Sequence, residues 1–229
     1  GSETDLVDTD FVMICVPTAQ MESGECDTSI VEEVVRKANP RRAIVCHSTV
    51  SIGTTDRLIE EYDKALVFIP EYAGESTDHP YRLVENRDFF VIGGYEPITN
   101  HVKELFESRY GSTPEYLLTS PKAAELVKYM ENAFLALKVG FCNEYYDLCQ
   151  AVGVDYDLVR GMWLRDSRIN ESHTIVTEER GYGGSCFPKD VAAVCDSGRK
   201  LGVPLELLEI LQVSNAKRRK VTQTETVIV

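Results

Sequence analysis

Residues 181–190, GYGGSCFPKD, hold the densest set of groups able to do chemistry in this chain. One soft nucleophile, Cys186, follows glycines at 181, 183 and 184 and precedes Phe-Pro-Lys-Asp. Pro188 suits the first turn of a helix, where its missing N–H has no intrahelical partner to lose. Cys186 then stands just ahead of that helix. Free N–H groups and the positive end of the helix dipole favour thiolate over thiol there. Lys189 adds positive charge nearby, and the glycines remove side chains that would keep a ligand from the sulfur. A glycine-rich turn with an incidental buried cysteine has the same spacing, and these ten residues alone weigh the two readings about equally.

The elements that must carry this cysteine fall into two halves. DFVMICVP (10–17) is a nearly continuous apolar run, the pattern of a strand covered on both faces, and RRAIVCHST (41–49) is of the same type. ALVFIP (65–70) and RDFFVIGG (87–94) read as third and fourth strands. Helices are expected from an Asp27 or Thr28 cap to Lys37, over 51–62, and over 96–111 with Gly111 as the stop. Strand and helix alternating in this rhythm predict a partial Rossmann-like, mainly parallel sheet over 1–115. From residue 120 the pattern is helical. Ser120 is the N-cap and Pro121 the first helical residue of a long helix running to Gly153. Its middle is apolar nearly all round, so burial on several sides is expected, in part by a second copy of the chain. Further helices are expected over 155–164, 188–201 and 204–220, making 116–220 an all-helical central, dimerising domain and 221–229 a tail.

Bulk properties narrow the class. The 229 residues are 43% apolar and 27% charged, as in an ordinary globular α/β protein. No window approaches the roughly 18 consecutive apolar residues of a membrane helix. GSETDLVDTD is acidic where a secretory signal is basic, so a cytoplasmic location is expected. Seven cysteines without C-x-x-C spacing argue against a structural zinc site. All but Cys186 are expected to be mostly buried, reduced thiols. A formal net charge of −13 disfavours nucleic acid or an anionic membrane as partner. An acidic coil leading straight into a buried-type strand, and a terminal TVIV (226–229) reading as an unpaired strand, give both ends the look of a longer protein cut short.

GYGGSCFPKD closely resembles the cysteine motif of the nucleotide-sugar 6-dehydrogenases, the UDP-glucose/GDP-mannose dehydrogenase family. Five further segments resemble that family in family order: MICVPT (13–18), STVSIGTT (48–55), PEYAGES (70–76), AELVKYMENAFLALKVGFCNE (124–144) and DSRI (166–169). The resemblance implies Cys186 as nucleophile. Lys128 and Asn132, four residues apart and so on one helix face, would serve the substrate's reacting carbon, with Lys128 stabilising the oxyanion. It further implies Glu71 in water activation or acid/base work, Glu75 near the nicotinamide, and Asp190 pairing with the water or a lysine. Thr18 and Thr49 would contact the cofactor, NAD, and Gly183 would border the substrate. The implied reaction oxidises the C6 alcohol of a nucleotide sugar, most closely UDP-glucose, through a cysteine-bound thiohemiacetal and thioester to the uronate. The implied partners are that sugar nucleotide and a second copy of the chain.

Departures from the family pattern shape the alternatives. No G-x-G-x-x-G follows a strand; Gly181 to Cys186 begins like one but lacks the third glycine. The family's fingerprint unit would precede residue 1, so weak or no NAD binding by this polypeptide alone is expected. NESHTIVTEER (170–180) is charged where the sugar nucleotide would lie. A degenerate, inactive member acting as a binding or dimerisation module is the runner-up, and a helical dimer with an acidic interaction surface is the reading outside the family.

Overall fold

The computed structural model describes residues 8–72, 81 and 83–225, with side chains to Arg219. Glu75 and the expected terminal strand lie outside the described residues. The chain forms two compact units, 1–129 and 130–229, and the division falls inside one helix.

In the first unit the strands are β1 (Phe11–Ile14), β2 (Ala43–Cys46), β3 (Leu66–Phe68), β4 (Phe89–Gly93) and β5 (Glu115–Thr119), and the helices are α1 (Ser29–Lys37), α2 (Thr54–Tyr62) and α3 (Ile98–Tyr110). The sheet runs β1-β2-β3-β4-β5. β1 and β2 pair in parallel with Val12 opposite Ile44, as do β2 with β3 and β4 with β5; β3 and β4 meet antiparallel at Phe68 and Gly93. Side chains two apart on a strand share a face. Ile44 and Cys46 of β2 therefore join Val12, Ile14 and Phe68 under Val31, Val35 and Leu58 of α1 and α2, while Ala43 and Val45 join Phe90 and Ile92 under Val102 and Phe106 of α3. Burial of side chains such as Ile14, Phe68 and Phe90 contributes about 1.5–3 kcal/mol each. Exposed helix pairs such as Lys37–Glu33 contribute about 0.3–0.5 kcal/mol, so apolar packing dominates this unit.

Two sequence expectations change here. Among the described residues β1 lies at one end of the sheet, with Val12 and Ile14 buried but Met13 46% exposed and Cys15 also exposed, so its apolar run is buried on one face here. β5 has no counterpart in the expected elements: at the other end it leaves Leu117 and Leu118 exposed and lacks the apolar alternation of a covered strand. α2 also begins later than its residues predict, because Gly53 has φ +88° and turns the chain before Thr54.

The long helix α4 (Pro121–Val152) has the expected ends, with Ser120 Oγ accepting from Ala123 N at 3.4 Å and Gly153 at φ +72°. Its first turns belong to the sheet unit, where Glu125, fully buried, accepts from Gly53 N, Thr55 N and Thr55 Oγ1 at 2.5, 2.9 and 2.6 Å. It thus fills the capping role at the N-terminus of α2 that no residue of α2 itself performs. The second unit holds the rest of α4 with α5 (Tyr156–Trp163), α6 (Phe187–Lys200) and α7 (Glu206–Glu225). Ala133, Ala136, Val191, Cys195 and Leu211 form its core around Tyr182. Gly140 lets Leu211 close in: a Cβ there would stand 2.4 Å from Leu211 Cδ1. The outer side of α4 is open, with Met130 78% and Phe134 59% exposed.

Candidate active site

Cys186 is the N-cap residue of α6, exposed, with Pro188 in the first turn. Asp190 N donates to Cys186 O at 2.8 Å, the first bond of the helix, so the backbone of the cysteine is part of the helix start. Ser185 Oγ lies 3.5 Å from the thiol sulfur. Beneath it Asp190 is 1% exposed and accepts from Lys189 Nζ at 2.6 Å and from Asn132 Nδ2 at 2.5 Å. A buried carboxylate needs such partners, since an uncompensated one costs several kcal/mol of desolvation. The positive charge that Lys189 brings to the turn is therefore shared with a carboxylate rather than offered to the sulfur alone.

The glycines before Cys186 do not all stand open. Gly181 has φ +60° and Arg180 φ +53°, a pair of left-handed residues of which the arginine costs about 1–2 kcal/mol. Arg180 is held there by Asn143, whose Oδ1 accepts from Arg180 Nε at 2.8 Å and Gly181 N at 3.0 Å, and by an ion pair to Asp147. Burial would push Asp147's carboxyl up, but hydrogen bonds from Arg180 and Arg218 outweigh it and hold the group below the ordinary aspartate value. At Gly183 a Cβ would stand 2.6 Å from an Arg219 guanidinium nitrogen, so an arginine tip occupies the space expected to border substrate. Arg219 also reaches Glu179 at 3.4 Å, which draws one of the extra acidic groups into an internal pair.

In the sheet unit, Lys128 is buried and donates to Glu71 O at 2.6 Å, with its ammonium 5.2 Å from the centroid of the Tyr72 ring. Glu71 Oε1 accepts from Tyr72 N at 2.9 Å and from the guanidinium of Arg87. Arg87 is 4% exposed and stacks over the Tyr72 and Phe90 rings at 5.6 and 5.9 Å. Lys128 and Glu71 are thus neighbours, and Asn132 follows Lys128 by one helical turn on α4.

At the carboxyl ends of β1 and β2, Thr18 Oγ1 donates to Thr49 O at 2.8 Å, joining the two threonines. Ser48 reinforces this edge, accepting from Val16 N at 2.8 Å and donating to Val16 O at 2.7 Å. Parallel α/β sheets bind nucleotides at this edge.

Against known proteins, residues 2–110 match the NAD binding domain of the UDP-glucose/GDP-mannose dehydrogenase family, and residues 122–217 match its central domain. The chain belongs to this family. It is 34% identical over 232 residues to the UDP-glucose 6-dehydrogenase of Pseudomonas aeruginosa, covering 94% of this chain and 50% of that protein. It is 29% identical to the GDP-mannose 6-dehydrogenase of the same organism, over 93% of this chain and 52% of that one. Among solved structures, a UDP-glucose dehydrogenase from Pyrobaculum islandicum superposes with a TM-score of 0.77 at 29% identity, over 91% of this chain and 50% of that one. The chain therefore spans about half the length of the curated relatives it matches.

Family membership makes NAD the cofactor of the sheet unit. Thr18 and Thr49 lie together at the carboxyl ends of β1 and β2, and the sequence holds no G-x-G-x-x-G. The family resemblance left Asn143, Asn215, Arg87 and Glu125 unnoticed. For the asparagines a signal was available: both sit in helix interiors, where asparagine is a poor former and its presence asks for another reason. Arg87 and Glu125 carry no such mark, since charged residues beside strands and on helices are usually solvated.

Proposed function

We propose that the chain carries the cysteine centre of an NAD-dependent nucleotide-sugar 6-dehydrogenase that oxidises a C6 alcohol to the uronate, with UDP-glucose as the sugar nucleotide. The observation that carries this reading is the exposed Cys186 at the start of α6 beside the buried Asn132–Asp190 pair that Lys189 joins. Two NAD molecules in turn would each accept one hydride, and in the first oxidation the C6 hydroxyl proton would pass to water. After the first, the Cys186 thiolate attacks the aldehyde carbon; a C–S bond forms and the carbonyl pair moves onto oxygen as a thiohemiacetal. Loss of the second hydride leaves a thioester. Water then adds, and the thiolate departs as the carboxylate forms. Lys128 takes the role of the cation facing the oxyanion and Glu71 that of the group receiving the water's proton. Asn132 and Asp190 hold the region of the cysteine in register.

Two finer points belong to the same proposal. The open apolar side of α4, with Met130, Phe134, Phe141 and Leu148 exposed, is taken as the face that a second copy covers in a homodimer. All seven cysteines are free, which suits a reducing cytoplasm.

Calorimetry with NAD and with UDP-glucose, followed by NADH absorbance, tests the proposal. Turnover that disappears in Cys186→Ala supports it. Binding of the nucleotide sugar without NADH formation, or silence in all three measurements, overturns catalysis by this chain and favours the inactive binding module.

A further inference from the structure

We infer that Asn215 of α7 is a positioning residue for Cys186, holding the glycine turn that presents the thiol; this rests on the reading of Cys186 as nucleophile. Between Tyr182 and Cys186 the chain is Gly-Gly-Ser, with Gly184 at φ +76°. Such a segment has little side-chain contact of its own and a large conformational freedom to lose. Arg219 packs over Gly183, and the two ends fix the segment further. The downstream end is fixed by the start of α6 through the Asp190 N to Cys186 O bond and the buried carboxylate of Asp190. The upstream end is fixed by Asn215.

Asn215 Oδ1 accepts from Tyr182 N at 2.7 Å, and Asn215 Nδ2 donates to Tyr182 O at 2.9 Å. This two-point contact imitates the pairing of one residue with a neighbouring strand. It saturates both backbone groups of Tyr182, whose ring is buried among Ala133, Ala136, Val191 and Leu211. Gly181 is shaped to the same amide: a Cβ there would come within 2.3 Å of Asn215 Oδ1. A residue with low helix propensity in the interior of a helix, a glycine trimmed to admit it and a doubly bonded backbone all converge on one function.

The test is the alkylation rate of Cys186 in the full chain with iodoacetamide near neutral pH, read by mass spectrometry. Cys15, exposed in the other unit, is the internal reference. In Asn215→Ala the ratio of the Cys186 rate to the Cys15 rate is expected to fall about threefold or more, with the thermal melt retained. Asn215→Asp keeps the acceptor for Tyr182 N and loses the donor, so its ratio is expected to lie between the two. Should Asn215→Ala fail to fold, Asn215→Asp decides. A ratio equal to wild type in a folded variant overturns the inference. Failure of the nucleophile reading shows separately, as NADH formation that survives Cys186→Ala.

Discussion

His47 lies at the end of β2 with Nδ1 3.1 Å from Ile69 O, so the neutral ring carries its proton on Nδ1 and donates it. Burial, with Arg87 adding repulsion against a partly compensating backbone bond, pushes its pKa down to about 4. A depressed histidine pKa means the unfolded chain binds a proton that the folded chain refuses. Stability is therefore unaffected above the unfolded value of roughly 6.5 and falls as pH drops from there to about 4, by on the order of 3 kcal/mol. Urea unfolding at a series of pH values checks this, and His47→Gln is expected to flatten that part of the profile. At this scale the sequence was informative where a residue's type is itself unusual for its place, as with Cys186 ahead of Pro188. It was silent on Arg87, whose position over Tyr72 depends on a fold that brings residues 71, 87 and 128 together.

Elements were legible where periodicity and punctuation agree. Ser120, Pro121 and Gly153 mark α4 to within a residue because capping chemistry is local. Strand β5 was not, because EYLLT lacks the alternation of a strand with one buried face and leaves Leu117 and Leu118 exposed. The N-terminus of α2 was equally hidden, because its cap comes from Glu125, some seventy residues away in sequence. Replacing that carboxylate leaves buried N–H groups unpaired, and Glu125→Ala is expected to destabilise the chain by about 2–4 kcal/mol in denaturant unfolding. Gly93 ends β4 against the start of α4, where a Cβ would stand 2.5 Å from Ala124 Cβ and 3.2 Å from Pro121 Cα. Backbone cannot swing aside as a side chain can, so Gly93→Ala is expected to cost about 1–3 kcal/mol by the same measurement.

For the molecule as a whole, the family was legible because its motifs keep their order along the chain, which no single spacing could have established. A homodimer through α4 predicts that Met130→Lys combined with Leu148→Lys lowers the apparent mass in light scattering while changing the chemical stability of the single chain by under about 1 kcal/mol. An unchanged mass would count against that interface. Among the described residues no helix is long and apolar enough to cross a membrane. Cys15, just past β1, is an exposed thiol of one unit, and Cys186 is an exposed thiol of the other. Nature has thereby placed one spectroscopic handle on each unit, and a pair of spin labels on these two thiols would serve as a ruler for any movement of the units when nucleotide is added.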